Sequence, residues 1–280
     1  MVLGAIPRRA DLGVHVSSSP APLLVERHDD GVVVLTLNQP ERRNAMTEEL
    51  TDAWRVEIAA LKGDRSVRVV VVQAHGKAFC AGGDLSWIEG DGTPVTPDSL
   101  REKMLPFYKT WLSIRDLEVP SIAAIQGAAV GAGLCLALAC DLRFAAAGAS
   151  FSAPFTKLGI HPGMAATYLM PQAMGMALTR DLLYTGRSLS AQEALSYGLV
   201  TRILPEDSLH SQTLEIARDV ASAAPVATRL TKVGLALGPR SLEDVLAWEA
   251  LAQPITMATE DLKEGLRARA ERRPAVFTGA

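Results

Sequence analysis

One stretch narrows the choice of fold more than any other. PSIAAIQGAAVGAGLCLALAC, from Pro120 to Cys140, carries no charge and is as long as a membrane-crossing helix. Its internal punctuation points elsewhere. Gln126 and the glycines at 127, 131 and 133 divide it into halves that read differently. "PSIAAIQG" reads as a buried strand and "VGAGLCLALAC" as a buried helix opened by glycines. A chain that hides both needs a thick core. With 48% hydrophobic and 21% charged residues over 280 positions, it has the material for one.

The balance of charge excludes some partners. A net charge of −3 gives no basic field for nucleic acid or anionic lipid, although a local positive patch can still hold a phosphorylated ligand. Cys80, Cys135 and Cys140 do not make a disulfide framework, and their spacing does not suit a structural zinc. A reducing cytoplasm is the expected setting. No apolar run near the start is long enough for a secretory signal, and Ser17–Pro22 is rich in Ser, Pro and Ala. Residues 1–20 are therefore expected as a flexible tail.

Strand, turn and helix signals then alternate. "LLVERHDDGVVVLTLN" reads as a hairpin turning at His28–Gly31. Thr47 reads as an N-cap, Leu50, Trp54, Ile58 and Leu61 repeat at helical spacing, and Gly63 ends that helix. "VRVVVVQAHG" is a buried strand, and "KAFCAGGDLSWI" a glycine-bearing turn into a short helix. "EGDGTPVTPDS" reads as a mobile loop. "LREKMLPFYKTWLSIRDL" reads as a helix interrupted near Pro106. "DLRFAAAGASFSAP" returns to strand character. From about Pro205 the segments are helical with no strands between them. The pattern is that of an α/β domain with its site at strand ends, followed by a helical appendage.

Two turns carry the chemistry. "FCAGGDL" and "VGAGLCL" each follow a β-rich run and open a helix. Their small residues admit a ligand to the backbone, and free N–H groups at a helix start favour negative charge. Facing each other, two such turns would hold one oxygen between two N–H donors, an oxyanion hole. A glycine-rich turn taken alone could equally serve close packing of helix on strand.

Taken with other segments, these turns resemble a known family. "LNQPERRNAM", "GKAFCAGGDL", "IQGAAVGAGLCLALACDLRFAA" and "FTKLGIHPGMAATYLMPQAMG" follow the order seen in the crotonase superfamily, the enoyl-CoA hydratase/isomerase family. So do "TGRSLSAQEALSYGLVTRI" and the terminal "TEDLKEGLRARAERRPAVFTG", and the similarity runs over roughly residues 23–279. The resemblance implies an α/β spiral of β-β-α units over 21–204 and a helical region over 205–280 that builds trimers or hexamers. It implies lipid or fatty acid metabolism and an acyl-CoA thioester as ligand. Coenzyme A is then part of the substrate, with no separate cofactor and no metal, nucleic acid or membrane partner. Carried over by position, the oxyanion donors are the backbone N–H groups of Ala81 and Ala132. Arg42, Arg43 and Asn44 fall where the family begins its CoA-binding loop, although each arginine could equally be a solvated surface charge. Lys77, Phe79, Gly82, Gly83, Asp84, Leu85, Gly131, Cys135 and Phe155 complete the expected substrate site.

The chain departs from the family where the chemistry is decided. Hydratases that it resembles use a pair of glutamates; here Cys135 and Phe155 stand in those places. Cys135 lies one helical turn after Ala132 and so should face the pocket. It is expected to line the pocket as a small hydrophobe rather than act as a base. His161 in "GIHPGM" is a candidate acid/base because its ring titrates near neutral pH, although a backbone-satisfied loop histidine is the competing reading. His75, Glu89, Asp91 and Tyr168 are weaker candidates. Asp84 and Asp141 read as loop organisers. Trp87, Leu134 and Met164 suggest an apolar lining. Two functional readings follow. One is an enzyme, a lyase or isomerase performing enolate chemistry on acyl-CoA by double-bond migration, decarboxylation or hydration with unusual groups. The other is a non-catalytic acyl-CoA binder or carrier.

Overall fold

The molecule was described from a computed structural model, which covers residues 21–84, 96–236, 238 and 241–280. Leu23–Arg27 (β1) and Val32–Leu37 (β2) form the antiparallel hairpin that opens the fold. Every residue of β2 is buried, as suits an interior strand covered on both faces. Val69–Ala74 (β3), Ser121–Ile125 (β5), Leu142–Ala146 (β7) and Arg202–Leu204 (β10) continue this sheet in parallel, in the order β1-β2-β3-β5-β7-β10.

A second sheet grows beside the first. Ala78–Cys80 (β4), Ala128–Val130 (β6), Ser150–Ser152 (β8) and Ser188–Ser190 (β9) are ordered β4-β6-β8-β9. Each turn of the chain therefore gives one strand to the large sheet and the next to the small one. That is the β-β-α spiral. Gln126 and Gly127 lie between β5 and β6, where a Cβ on Gly127 would overlap the Lys77 carbonyl of the turn before. The Gln126 side-chain amide donates to the carbonyls of Gly76 (3.1 Å) and Ala78 (2.9 Å), stitching successive turns together. The apolar stretch Pro120–Cys140 is thus β5, β6 and the wholly buried helix Ala132–Ala139. No helix among the described residues is long and apolar enough to cross a membrane.

Glu48–Leu61 (α1) buries Leu50, Trp54, Ile58 and Leu61, the positions its spacing predicts. The Thr47 hydroxyl accepts the Leu50 N–H at 3.2 Å, closing one of the unpaired donors of the first turn. Pro97–Leu112 (α2) crosses α1, with Trp111 stacked on Trp54 at a centroid distance of 5.0 Å. This helix is continuous through Pro106, contrary to the interruption its sequence suggests. Pro106 and Glu102 both lie on the solvent side, so water can satisfy the Glu102 carbonyl that the proline leaves without a donor. The short helix expected after the first glycine turn lies outside the described residues, as does most of the expected mobile loop.

Ala132–Ala139 (α3), Ala166–Thr185 (α4) and Ala191–Ser196 (α5) follow. Leu209–Ala221 (α6), Pro225–Ala236 (α7), Leu242–Met257 (α8) and Glu260–Glu271 (α9) form the helical C-terminal region. Strand alternation assigns the packing. Val33, Leu35, Val70 and Val72 face the main core, while Val32, Val34, Val69 and Val71 face α6 through Leu209, Ala217 and Ala221. The first of the C-terminal helices therefore seals the outer face of the large sheet.

Candidate functional site

Asn44 holds the first corner in place. It adopts a left-handed backbone (φ 53°), which Asn tolerates better than most residues, and it is fully buried. Its Nδ2 donates to the carbonyls of His75 and Ala78, each at 2.9 Å, and its Oδ1 accepts the Gln39 N–H at 2.9 Å. Both of its side-chain N–H donors go into fixing the β3–β4 turn, while its oxygen holds the segment before α1. The Asn44 side chain thus organises the corner that leads into β4. Phe79, the next expected site residue, is fully buried in an apolar cluster that also includes Ala132, Cys135 and Phe155.

The corner after β4 then meets the start of α3. Gly82 has φ +100°, and a Cβ there would lie 2.8 Å from the Val130 carbonyl and 3.4 Å from the Ala132 nitrogen. A Cβ on Gly133 would overlap the Cys80 carbonyl. Only glycines allow this approach, so the two small-residue turns do face each other. The N–H groups are not equally available, however. The Ala81 N–H donates to the Arg43 carbonyl at 3.0 Å, and the Gly82 N–H is directed at the Cys80 sulfur. The Gly83 N–H has no acceptor among the described residues, and Met46 pairs with the Gly82 carbonyl instead. Ala132 is the first residue of α3, and its N–H has no intrahelical partner. Among the described residues, the unspent donors of the facing corners belong to Gly83 and Ala132. The structure thereby corrects the assignment of a donor to Ala81.

Aromatic side chains wall this point. The Phe107 ring lies 4.0 Å from the Cβ position of Gly83, and the Phe155 ring 3.6 Å from that of Gly131. Gly131 itself adopts φ +54° and bonds the Ser152 carbonyl at 2.9 Å. Cys135 is buried one turn below Ala132, with its sulfur 3.8 Å from the Gly163 carbonyl. Burial pushes its thiol up to about 12, so it carries no thiolate at neutral pH. The Tyr108 hydroxyl occupies the space a Cβ on Gly163 would take. Its phenol is raised above the usual tyrosine range, first by burial and then by Cys135.

The remaining candidates scatter. His161 is exposed, and its Nδ1 lies 2.8 Å from the Pro162 carbonyl. Arg42 reaches back to Asp84 at 2.6 Å, pinning the segment before α1 to the first corner. Arg43 and Lys77 are exposed, and neither side chain has an ion-pair partner among the described residues. His75 bonds Asn38 at 2.9 Å. Tyr168 faces outward beneath Arg115. Asp141 ties the β5 start through Ser121, whose N–H it accepts at 2.7 Å, and pairs with the buried Lys232 at 2.8 Å. Leu134 and Met164 are buried. Leu85, Trp87, Glu89 and Asp91 lie outside the described residues. Among the described residues, no cluster of His, Cys, Asp and Glu could hold a metal. Phe107 and Tyr108 carry no sequence signal of a site, because neighbouring aromatic residues on an amphipathic helix read as ordinary packing.

Comparison with known proteins decides the family. A family model described as enoyl-CoA hydratase/isomerase matches residues 27–280. The chain belongs to the enoyl-CoA hydratase/isomerase family. This family member is 41% identical over 205 residues to "Probable enoyl-CoA hydratase EchA14" of Mycobacterium tuberculosis, covering 73% of this chain and 76% of that one. It is 34% identical over 261 residues to the mitochondrial methylglutaconyl-CoA hydratase of Mus musculus, covering 91% and 82%. The crystal structure of an enoyl-CoA hydratase from Bacillus anthracis superposes with a TM-score of 0.87 at 34% identity, covering 92% of this chain and all of that one. The fold of this family member is therefore the crotonase spiral with its C-terminal helical region.

Proposed function

We propose that the protein binds an acyl-CoA thioester with its carbonyl oxygen between the N–H groups of Gly83 and Ala132. An enolate forming on that oxygen would be stabilised by both donors. Removing one donor of this kind costs about 3–4 kcal/mol of transition-state stabilisation. The observation that supports this reading is the pair of unspent N–H groups on corners held together by Gly82 and Gly133. The reaction class is enolate chemistry on an acyl-CoA, with hydration of an enoyl thioester as the form that the named relatives favour. Ordinary hydration by a glutamate pair does not fit, because Cys135 and Phe155 occupy both places. Arg43 and Lys77 are the cations on hand for the CoA phosphates.

A specific observation keeps a second reading in view. With a protonated thiol at Cys135 and a phenyl ring at Phe155, a non-catalytic acyl-CoA binder would need no other change. Incubation with a panel of enoyl-, 3-hydroxyacyl- and malonyl-type CoA esters, followed by mass spectrometry, separates the two. Turnover of any ester supports the enzyme. Tight binding with no turnover across the panel makes it a binder.

The assembly proposed is a homotrimer or a hexamer of two trimers. Its support is the row of exposed apolar side chains on α8 and α9, among them Leu242, Leu246, Leu251, Ile255 and Leu266.

A further inference from the structure

We propose that the Tyr108 hydroxyl is the proton relay of this site, standing where neither Cys135 nor Phe155 can move a proton. The inference rests on the acyl-CoA reading above and deepens it. Helix α2 presents neighbouring side chains to the two halves of the site: Phe107 reaches the Gly83 corner, and Tyr108 reaches the Gly163 loop. Gly163 is the shared neighbour, because its carbonyl lies 3.8 Å from the Cys135 sulfur while its missing Cβ makes room for the phenol. Cys135 in turn sits one helical turn below the Ala132 donor. The hydroxyl thus stands on the side of the pocket that the third residue after the donor faces.

The hydroxyl is also uncommitted. Its bond is to the Met104 sulfur at 3.9 Å, and a thioether is a weak acceptor. A half-buried phenol with so poor a partner can turn to a ligand. A tyrosine phenol is protonated at neutral pH, the form a proton donor needs, and burial moves it further in that direction. His161, the candidate that sequence favours, instead lies exposed against the Pro162 carbonyl.

The step balances without any other reactant. The oxygen of a water molecule bonds to the β-carbon of an enoyl thioester. The π electrons move onto the thioester oxygen, held by Gly83 and Ala132. As that electron pair returns, the α-carbon takes the Tyr108 proton, and the phenol oxygen takes the proton the water gives up. The C=C π bond and one water O–H bond are lost, one C–O and one C–H bond form, and the tyrosine O–H is restored.

The test compares the full chain with Tyr108→Phe. Binding of butyryl-CoA is measured by calorimetry, hydration of crotonyl-CoA by loss of the enoyl absorbance, and α-proton exchange of butyryl-CoA in D2O by mass spectrometry. General acid–base catalysis is worth roughly 10²–10⁴-fold. The expected result is binding within about 3-fold of the parent chain, with hydration and exchange both down by about 100-fold or more. Exchange and hydration close to the parent rates in a folded variant would overturn the proposal. Should Tyr108→Phe lose binding, 3,5-difluorotyrosine incorporated at the same position decides. A shift of the exchange pH profile to lower pH supports a proton-moving phenol, and an unmoved profile overturns it. Parent protein that binds butyryl-CoA but neither exchanges nor hydrates also overturns the relay while leaving the acyl-CoA site standing. Absence of any acyl-CoA binding removes the reading beneath it and the relay together.

Discussion

Ala132 begins its helix, so its N–H points out of the helix, with no acceptor among the described residues. Proline is well suited to that first position, since its missing N–H is one the helix does not use. Ala132→Pro should therefore keep the fold and lose the donor. Its circular dichroism should match the parent, while kcat falls by about 10²–10³-fold. The same scale shows where sequence reasoning stopped. That two small-residue corners face one another was legible from "FCAGGDL" and "VGAGLCL". Which N–H of the first corner is free was not, because the Ala81 donor is consumed by the Arg43 carbonyl, far upstream in the chain. The structural role of Asn44 was hidden for a related reason: its side-chain N–H groups are spent on backbone carbonyls brought in from the β3–β4 turn and β4.

The thiols give a second residue-scale expectation. Cys80, Cys135 and Cys140 are all buried, and burial raises each to about 12 from the ordinary 9.0. In the unfolded chain they ionise near the ordinary value, so above it the unfolded state binds fewer protons than the native one. Stability from this source is intact below about pH 9 and falls as pH rises toward 12. The loss is about 1.4 kcal/mol per pH unit for each thiol. Denaturant unfolding at stepped pH should show a shallower alkaline loss in Cys135→Ala than in the parent. An identical slope would mean that Cys135 ionises alike in both states.

Elements were the most legible level. Capping by Thr47, the burial spacing of α1 and the hairpin at His28–Gly31 all follow from local chemistry, and local chemistry is what a sequence shows. Pro106 did not, since whether a proline breaks a helix depends on what its orphaned carbonyl faces. The fit of α3 against β4 depends on Gly133, where any side chain would meet the Cys80 backbone rather than a flexible group. Gly133→Ala should cost about 1–3 kcal/mol in denaturant unfolding. It should also lower kcat by prising the Ala132 donor from the Gly83 corner, and unchanged kcat would argue that the corners are not mechanically joined there.

The whole molecule is tied across its length. Arg68, beside β3, donates to the carbonyls of Ala221 (3.2 Å) and Phe277 (2.7 Å). Asp261 on α9 is buried and accepts the N–H groups of Thr278 (2.8 Å) and Gly279 (2.9 Å). The chain end is thereby clamped to the helical region while α8 and α9 keep large apolar side chains exposed. Light scattering behind a sizing column should give the mass of three or six chains, and Leu246→Glu combined with Ile255→Glu should shift it toward one. An unaltered mass in that variant would place the self-contact on another face. The helical character of this region was readable from residues after Pro205. Its packing was not, because α6 is distinguished from its neighbours by covering the outer face of the large sheet, where it meets Val32, Val34, Val69 and Val71 together with Ile122, Ala124 and Phe144.

The most direct test is a crystal structure of the protein with a saturated acyl-CoA bound. The account predicts the thioester oxygen within hydrogen-bonding distance of both the Gly83 and Ala132 nitrogens, with the Tyr108 hydroxyl facing the α- and β-carbons. A thioester oxygen turned away from either nitrogen would contradict it.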